Sequence, residues 1–177
     1  MKKNNPYKKY AIIGTATIVT LAMILLFSKI IIYLVICAFT AFLVYIRYSL
    51  QLPFKIEPYL FLSVIISLSY GIWFTVFFVA VSMLIPKIIG GGEVDATTIL
   101  YLISFVFMNM ACILLQSIGI KILGVVISIV DFVIITALGA AMRPDKIISG
   151  MLIVGVNIFL FVKLGEPLLT LINTGLI

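Results

Sequence analysis

Asp131 is the residue of this 177-residue chain best placed to do chemistry. It sits within Lys121–Arg143, KILGVVISIVDFVIITALGAAMR, an otherwise apolar stretch long enough to approach the width of a bilayer as a helix. An ionised carboxylate at that depth costs several kcal/mol unless it is paired, hydrated or protonated, so it demands partners from other helices. Helical rise places Asp131, ten residues past Lys121, about 15 Å from that end. Asn109 lies twelve residues past Thr97, and Asn157 ten past Ile147. The spacing therefore predicts these three polar side chains at one level on three successive helices.

Their faces agree as well. Gly124, Ser128 and Asp131 fall at i, i+4 and i+7, one stripe with small residues that allow close helix approach. Thr98, Asn109, Cys112 and Gln116 form a stripe on the preceding helix, and Gly150 and Asn157 one on the last. Two readings stay open: a polar clasp holding three helices together, or a site for a solute or ion. Tyr70 and Trp73 are candidates to stack on a ligand, or else interfacial anchors. Gly90, Gly91, Gly92, Glu93 and Asp95 form a candidate lid with glycine hinge freedom, or an ordinary solvated loop. Lys163 and Glu166 are expected to pair at i, i+3.

Much chemistry is missing. Histidine is absent, which removes the commonest general base and metal ligand. Cys37 and Cys112 fall in apolar runs without a CxxC, and read as small buried residues. No GxxxxGK[ST] or HExxH motif occurs, and no second acid accompanies Asp131 in a span. Neither an enzyme, a metal site nor a cofactor is expected.

These residues need a membrane framework to hold them. The chain is 64% hydrophobic and only 10% charged, with a mean hydropathy of +1.37. A water-soluble domain does not have that composition. Long apolar runs without alternation point to helices and not to a barrel. The fold expected is an all-α polytopic transmembrane bundle: a basic cytoplasmic tail over 1–10, then one helical domain over 11–177.

In chain order, spans are expected at Ala11–Phe27 and Ile30–Ile46, joined by a tight turn at Ser28–Lys29. Tyr59–Ile85 follows, then Thr97–Ile118, the Asp131 helix and Ile147–Val162. That makes six spans, or seven if 59–86 breaks in two at Ser67–Trp73. Pro86–Ala96 is read as a loop, and Gly165-Glu-Pro167 as a kink or stop before an interfacial tail, Leu168–Ile177. The net charge of +6 lies in the tail and beside the spans, which suits topology and lipid contact and argues against nucleic acid. With six spans, eight basic residues fall inside (Lys2, Lys3, Lys8, Lys9, Arg47, Lys55, Lys121, Lys163) and four outside. Both termini are therefore expected in the cytoplasm, in a multi-pass protein of the cell membrane.

Pro53, Lys55, Ile56 and Glu57, the apolar run to Gly71, and the late Asn157, Gly165 and Pro167 carry a resemblance. They resemble the substrate-binding S components of energy-coupling factor transporters. That resemblance implies a membrane subunit that binds a vitamin or similar micronutrient and associates with a coupling subunit and two ATPases. The rod-shape-determining MreD family is similar in size and hydropathy, and implies a non-catalytic scaffold. A third expectation is an ion- or proton-handling subunit that uses Asp131.

Overall fold

The structure, a computed structural model, describes residues 6–52, 58–139 and 145–174. Every regular element among them is helical. The resemblance-bearing Pro53, Lys55, Ile56 and Glu57, the turn residue Arg143 and the first five residues of the tail lie outside them.

Helix α1, Pro6–Ser49, is a single helix of 44 residues, about 66 Å long. The turn expected at Ser28–Lys29 does not exist. From Thr15 to Ser49 the sequence contains no Gly, Pro, Asn or Asp, so nothing there ends a helix or favours a reversal.

Helix α2, Tyr59–Tyr70, returns antiparallel to the second half of α1. Arg47 Nη1 comes to 3.5 Å from the Tyr59 hydroxyl at one end, and the Tyr70 hydroxyl donates to Lys29 O (2.6 Å) at the other. Its whole stretch Leu60–Ser67 is buried, as befits a helix that is apolar all round. Chain reversal follows at Gly71, within the break that the sequence suggested. There φ is 89° and ψ 176°, a conformation open in practice only to glycine. A Cβ at Gly71 would meet nothing within 4 Å, so any cost of Gly71→Ala is backbone strain alone. That variant is expected to lose about 1–3 kcal/mol in detergent unfolding experiments.

Helix α3, Ile72–Val79, then rises parallel to α1 and runs through a π-helical turn, Ala80–Leu84, into α4, Ile85–Ile89. The Tyr33 hydroxyl donates to Phe74 O (2.9 Å) and Ser82 Oγ to Cys37 O (3.1 Å). Contrary to expectation, Pro86 does not end this helix. A proline ring collides with the carbonyl four residues back, here that of Ser82. The wider turn, closed from Ile85 N–H to Ala80 O, makes room for it.

Helix α5, Ala96–Leu114, ends in a 3₁₀ turn, Gln116–Ile118, and Gly119 (φ 89°). Helix α6, Ile120–Gly139, and α7, Asp145–Thr174, follow as an antiparallel pair. The Phe161 ring lies on Gly124, and Phe132 on Gly150. Pro167 does not stop α7. Gly165 packs on Ile120 before it and Ile172 is fully buried after it, so packing carries the helix through one missing hydrogen bond. Glu166 pairs with Lys121 of α6 (2.8 Å) and not with Lys163. Both side chains of that ion pair are about half exposed, so its contribution is small.

The described residues form six helical rods, partitioned differently from the six spans expected: one fewer at the N-terminus, one more at Gly71. Among the described residues, four segments are long and apolar enough to cross a membrane: Lys29–Ser49, Ile72–Ile89, Ile120–Ala137 and Gly150–Thr174. Tyr59–Tyr70 and Thr98–Leu114 are shorter apolar helices.

Candidate functional site

The site is assembled around α2, which starts halfway along the bundle. Its first turn exposes N–H groups with no acceptor within the helix, and its own flanking residue, Pro58, supplies no side-chain cap. Instead Asn157 Oδ1 of α7 accepts from Phe61 N (3.3 Å), across 96 residues of sequence. Asn157 is 1% exposed, and its Nδ2 donates to Ile153 O (3.0 Å), which holds the carboxamide in that orientation. Asn157 lies nine residues, about 13 Å, from the Lys121–Glu166 pair. The N-terminus of α2 therefore sits at the middle of α7.

Asp131 is 1% exposed and lies about 15 Å from the same ion pair, within one turn of the Asn157 level. Its Oδ1 accepts from the hydroxyl of Tyr101 on α5 (3.1 Å). One turn below, Ser128 Oγ donates to Gly124 O (2.7 Å), so the small-residue stripe of α6 does face inward. A buried acid, a phenol, a carboxamide and the positive end of a half-length helix thus share one level.

Asn109 does not join them. Counted from the turn shared by α5 and α6, Asn109 is five residues up from Leu114 and Asp131 eleven up from Ile120, about 7.5 Å against about 16 Å. Counting from Thr97 concealed this, because the last residues before Gly119 wind into the 3₁₀ turn. Asn109 is fully buried, and Nδ2 donates to Phe105 O (2.8 Å) of its own helix, while Oδ1 accepts from no described residue.

Tyr70 and Trp73 lie at the opposite end of the bundle from the start of α5. The Tyr70 ring packs against Tyr33 and Phe74, and Trp73, 81% exposed, points outward. Neither faces Asp131.

The glycine loop closes the helix before it. Gly92 N donates to Lys87 O (2.8 Å) and Gly91 N to Ile88 O (3.1 Å), with Gly91 at φ 85°: a Schellman cap on α4. A Cβ on Gly90 or Gly92 would come within 2.8 Å of Tyr48, so glycine lets the loop close on α1. Glu93 is exposed, and Asp95 caps α5 by accepting from Thr98 N (2.8 Å) and Thr98 Oγ1. Lys87 Nζ donates to the same hydroxyl (2.7 Å).

Sequence reasoning missed Tyr101 and the backbone N–H of Phe61. Tyr101 had a signal, standing at i+3 from Thr98 on an inward stripe; the N–H of Phe61 had none. No group of three or more His, Cys, Asp or Glu among the described residues is disposed to hold a metal. No family model, curated protein or solved structure matches this chain.

Proposed function

We propose that the protein is the substrate-binding subunit of a small-solute transporter, with six helices through the membrane and its ligand held near Asp131, Tyr101 and Asn157. One observation carries the reading: α2 begins at mid-level, at about the same height along the bundle as a buried acid. Helices interrupted at the midplane present backbone N–H groups to solutes in many transporters. Intramembrane acids mark substrate and ion paths more often than they mark plain packing. The S-component resemblance points the same way, with a coupling subunit and ATPases as partners.

Orientation follows from lysine and arginine. With α1 unbroken, chain order puts Lys2, Lys3, Lys8, Lys9, Lys29, Lys121 and Lys163 on one side, and Arg47, Lys55, Lys87, Arg143 and Lys146 on the other. Seven against five keeps both termini cytoplasmic, by a narrower margin than eight against four.

Native mass spectrometry of the purified protein tests the proposal. The wild type is expected to carry a small-molecule adduct that Asp131→Asn loses while helicity is retained. A wild type without adduct that copurifies with another membrane protein in fixed ratio supports the scaffold reading instead. Loss of proton- or ion-coupled activity in Asp131→Asn, again without an adduct, supports the relay.

A further inference from the structure

Asn109 has no exposed surface, and its Nδ2 is tied to Phe105 O (2.8 Å), which leaves Oδ1 as an acceptor that no described residue satisfies. Buried acceptors are seldom left without a hydrogen or an ion. Two further buried oxygens stand at its height. Ser67 lies six residues, about 9 Å, from Phe61 toward the Lys121–Glu166 pair, which puts it about 6 Å above the start of α6. Thr75 lies four residues beyond Gly71, as Ser67 lies four before it, so those two share a level. Asn109, about 7.5 Å above the same turn, is within about 2 Å of that level. Ser67 is 2% exposed and Thr75 not at all, and α2, α3 and α5 are in mutual contact.

The hydrogens of this layer are already engaged. Ser67 Oγ donates to Val64 O (2.9 Å) and Thr75 Oγ1 to Gly71 O (3.2 Å), so each hydroxyl keeps only lone pairs to offer. Neither accepts from a described residue. A water would give its two hydrogens to such a layer but find no hydroxyl hydrogen for its own oxygen. A cation needs acceptors alone. The backbone favours one too: α2 ends a turn further on at Gly71, and the carbonyls of Leu68, Ser69 and Tyr70 accept from no described backbone N–H. A helix C-terminus carries partial negative charge, and such ends of half-length helices hold sodium in many transporters. Charge selects the class of ion. Asp131 is about 9 Å further along the bundle, and divalent cations are held chiefly by carboxylates, so three neutral oxygens suit a single charge.

We propose that Asn109, Ser67 and Thr75 hold a monovalent alkali cation, sodium or potassium, between α2, α3 and α5. The proposal does not rest on a solute at the Asp131 level. Thermal unfolding in detergent tests it, in sodium, potassium or N-methyl-D-glucamine chloride at equal ionic strength. At ten times its dissociation constant, the bound ion should raise the wild-type midpoint by about 3–6 °C over N-methyl-D-glucamine. Asn109→Leu and Thr75→Val should each lose that gain. Stability of Asn109→Leu is to be compared with the wild type in N-methyl-D-glucamine, where it should be no lower, because only an unpaired acceptor is removed. Thr136 Oγ1 is likewise buried without a described partner, but about 24 Å along α6, so Thr136→Val should keep the ion dependence. Purified wild type should also bind radioactive sodium, displaced by unlabelled sodium or potassium and lost in Asn109→Leu. Equal wild-type midpoints in the three salts overturn the proposal, as does an ion dependence that both site variants retain. A gain from magnesium or calcium alone overturns the assignment to a single charge.

Discussion

Gly124→Ala is expected to destabilise the bundle by about 3 kcal/mol, the upper end of what overpacking a buried contact costs. Glycine inside a helix normally loses about 1 kcal/mol to alanine, so propensity alone predicts a gain. Packing reverses the sign. A Cβ built at Gly124 falls 2.1 Å from Phe161 Cγ and 2.4 Å from its Cδ1. Phe161 is fully buried and meets Phe61 edge-on, with centroids 5.1 Å apart. Gly124 is therefore the place where α6, α7 and α2 are keyed together, through one ring.

The contrast lies on α7 itself. At Gly155 an added methyl would meet nothing within 4 Å, so Gly155→Ala should be neutral or stabilising by up to about 1 kcal/mol. Phe161→Leu in the Gly124→Ala background should recover part of the loss, with a coupling energy of about 1–3 kcal/mol. Unfolding in detergent, followed by circular dichroism, measures all of these proteins. Additive single and double mutants would show that the ring is not the obstacle.

How much was legible in the sequence depended on what each residue leaves as a local trace. The small-residue stripe at Gly124, Ser128 and Asp131 is a periodic signal, and it faces inward as periodicity requires. Gly71 was legible as a break because no other residue in a 27-residue uncharged run relieves its excess length. The unbroken α1 was harder to see. Length pressed for a turn at Ser28–Lys29, and chemistry that could make one was absent; the absence decided. Pro86 and Pro167 failed as stop signals, one because a π turn gives its ring room, the other because packing flanks it. What the sequence could not show was the register between helices. A few residues in the turn at Gly119 moved Asn109 by more than one helical turn relative to Asp131 and put Tyr101 in its place.

The two asparagines make that difference measurable, because one substitution should act on them with opposite sign. Asn157→Leu removes the acceptor for Phe61 N and leaves a buried backbone N–H without a partner, at a cost of about 1–3 kcal/mol. It also removes the cap from the half-length helix that begins at the level of Asp131. Asn109→Leu keeps the branching of the side chain and removes a buried Oδ1 that accepts nothing from the described residues, along with one local bond to Phe105 O. Deleting an unsatisfied buried acceptor relieves a desolvation cost, so that variant should be neutral or more stable by about 1 kcal/mol. Hydrogen exchange separates the two at residue level: Asn157→Leu should speed exchange at Phe61 and its neighbours, and Asn109→Leu should leave α2 protected. Losses of similar size at both positions would mean that Asn109 Oδ1 has a partner of its own, and that the polar level extends more than a turn below Asp131.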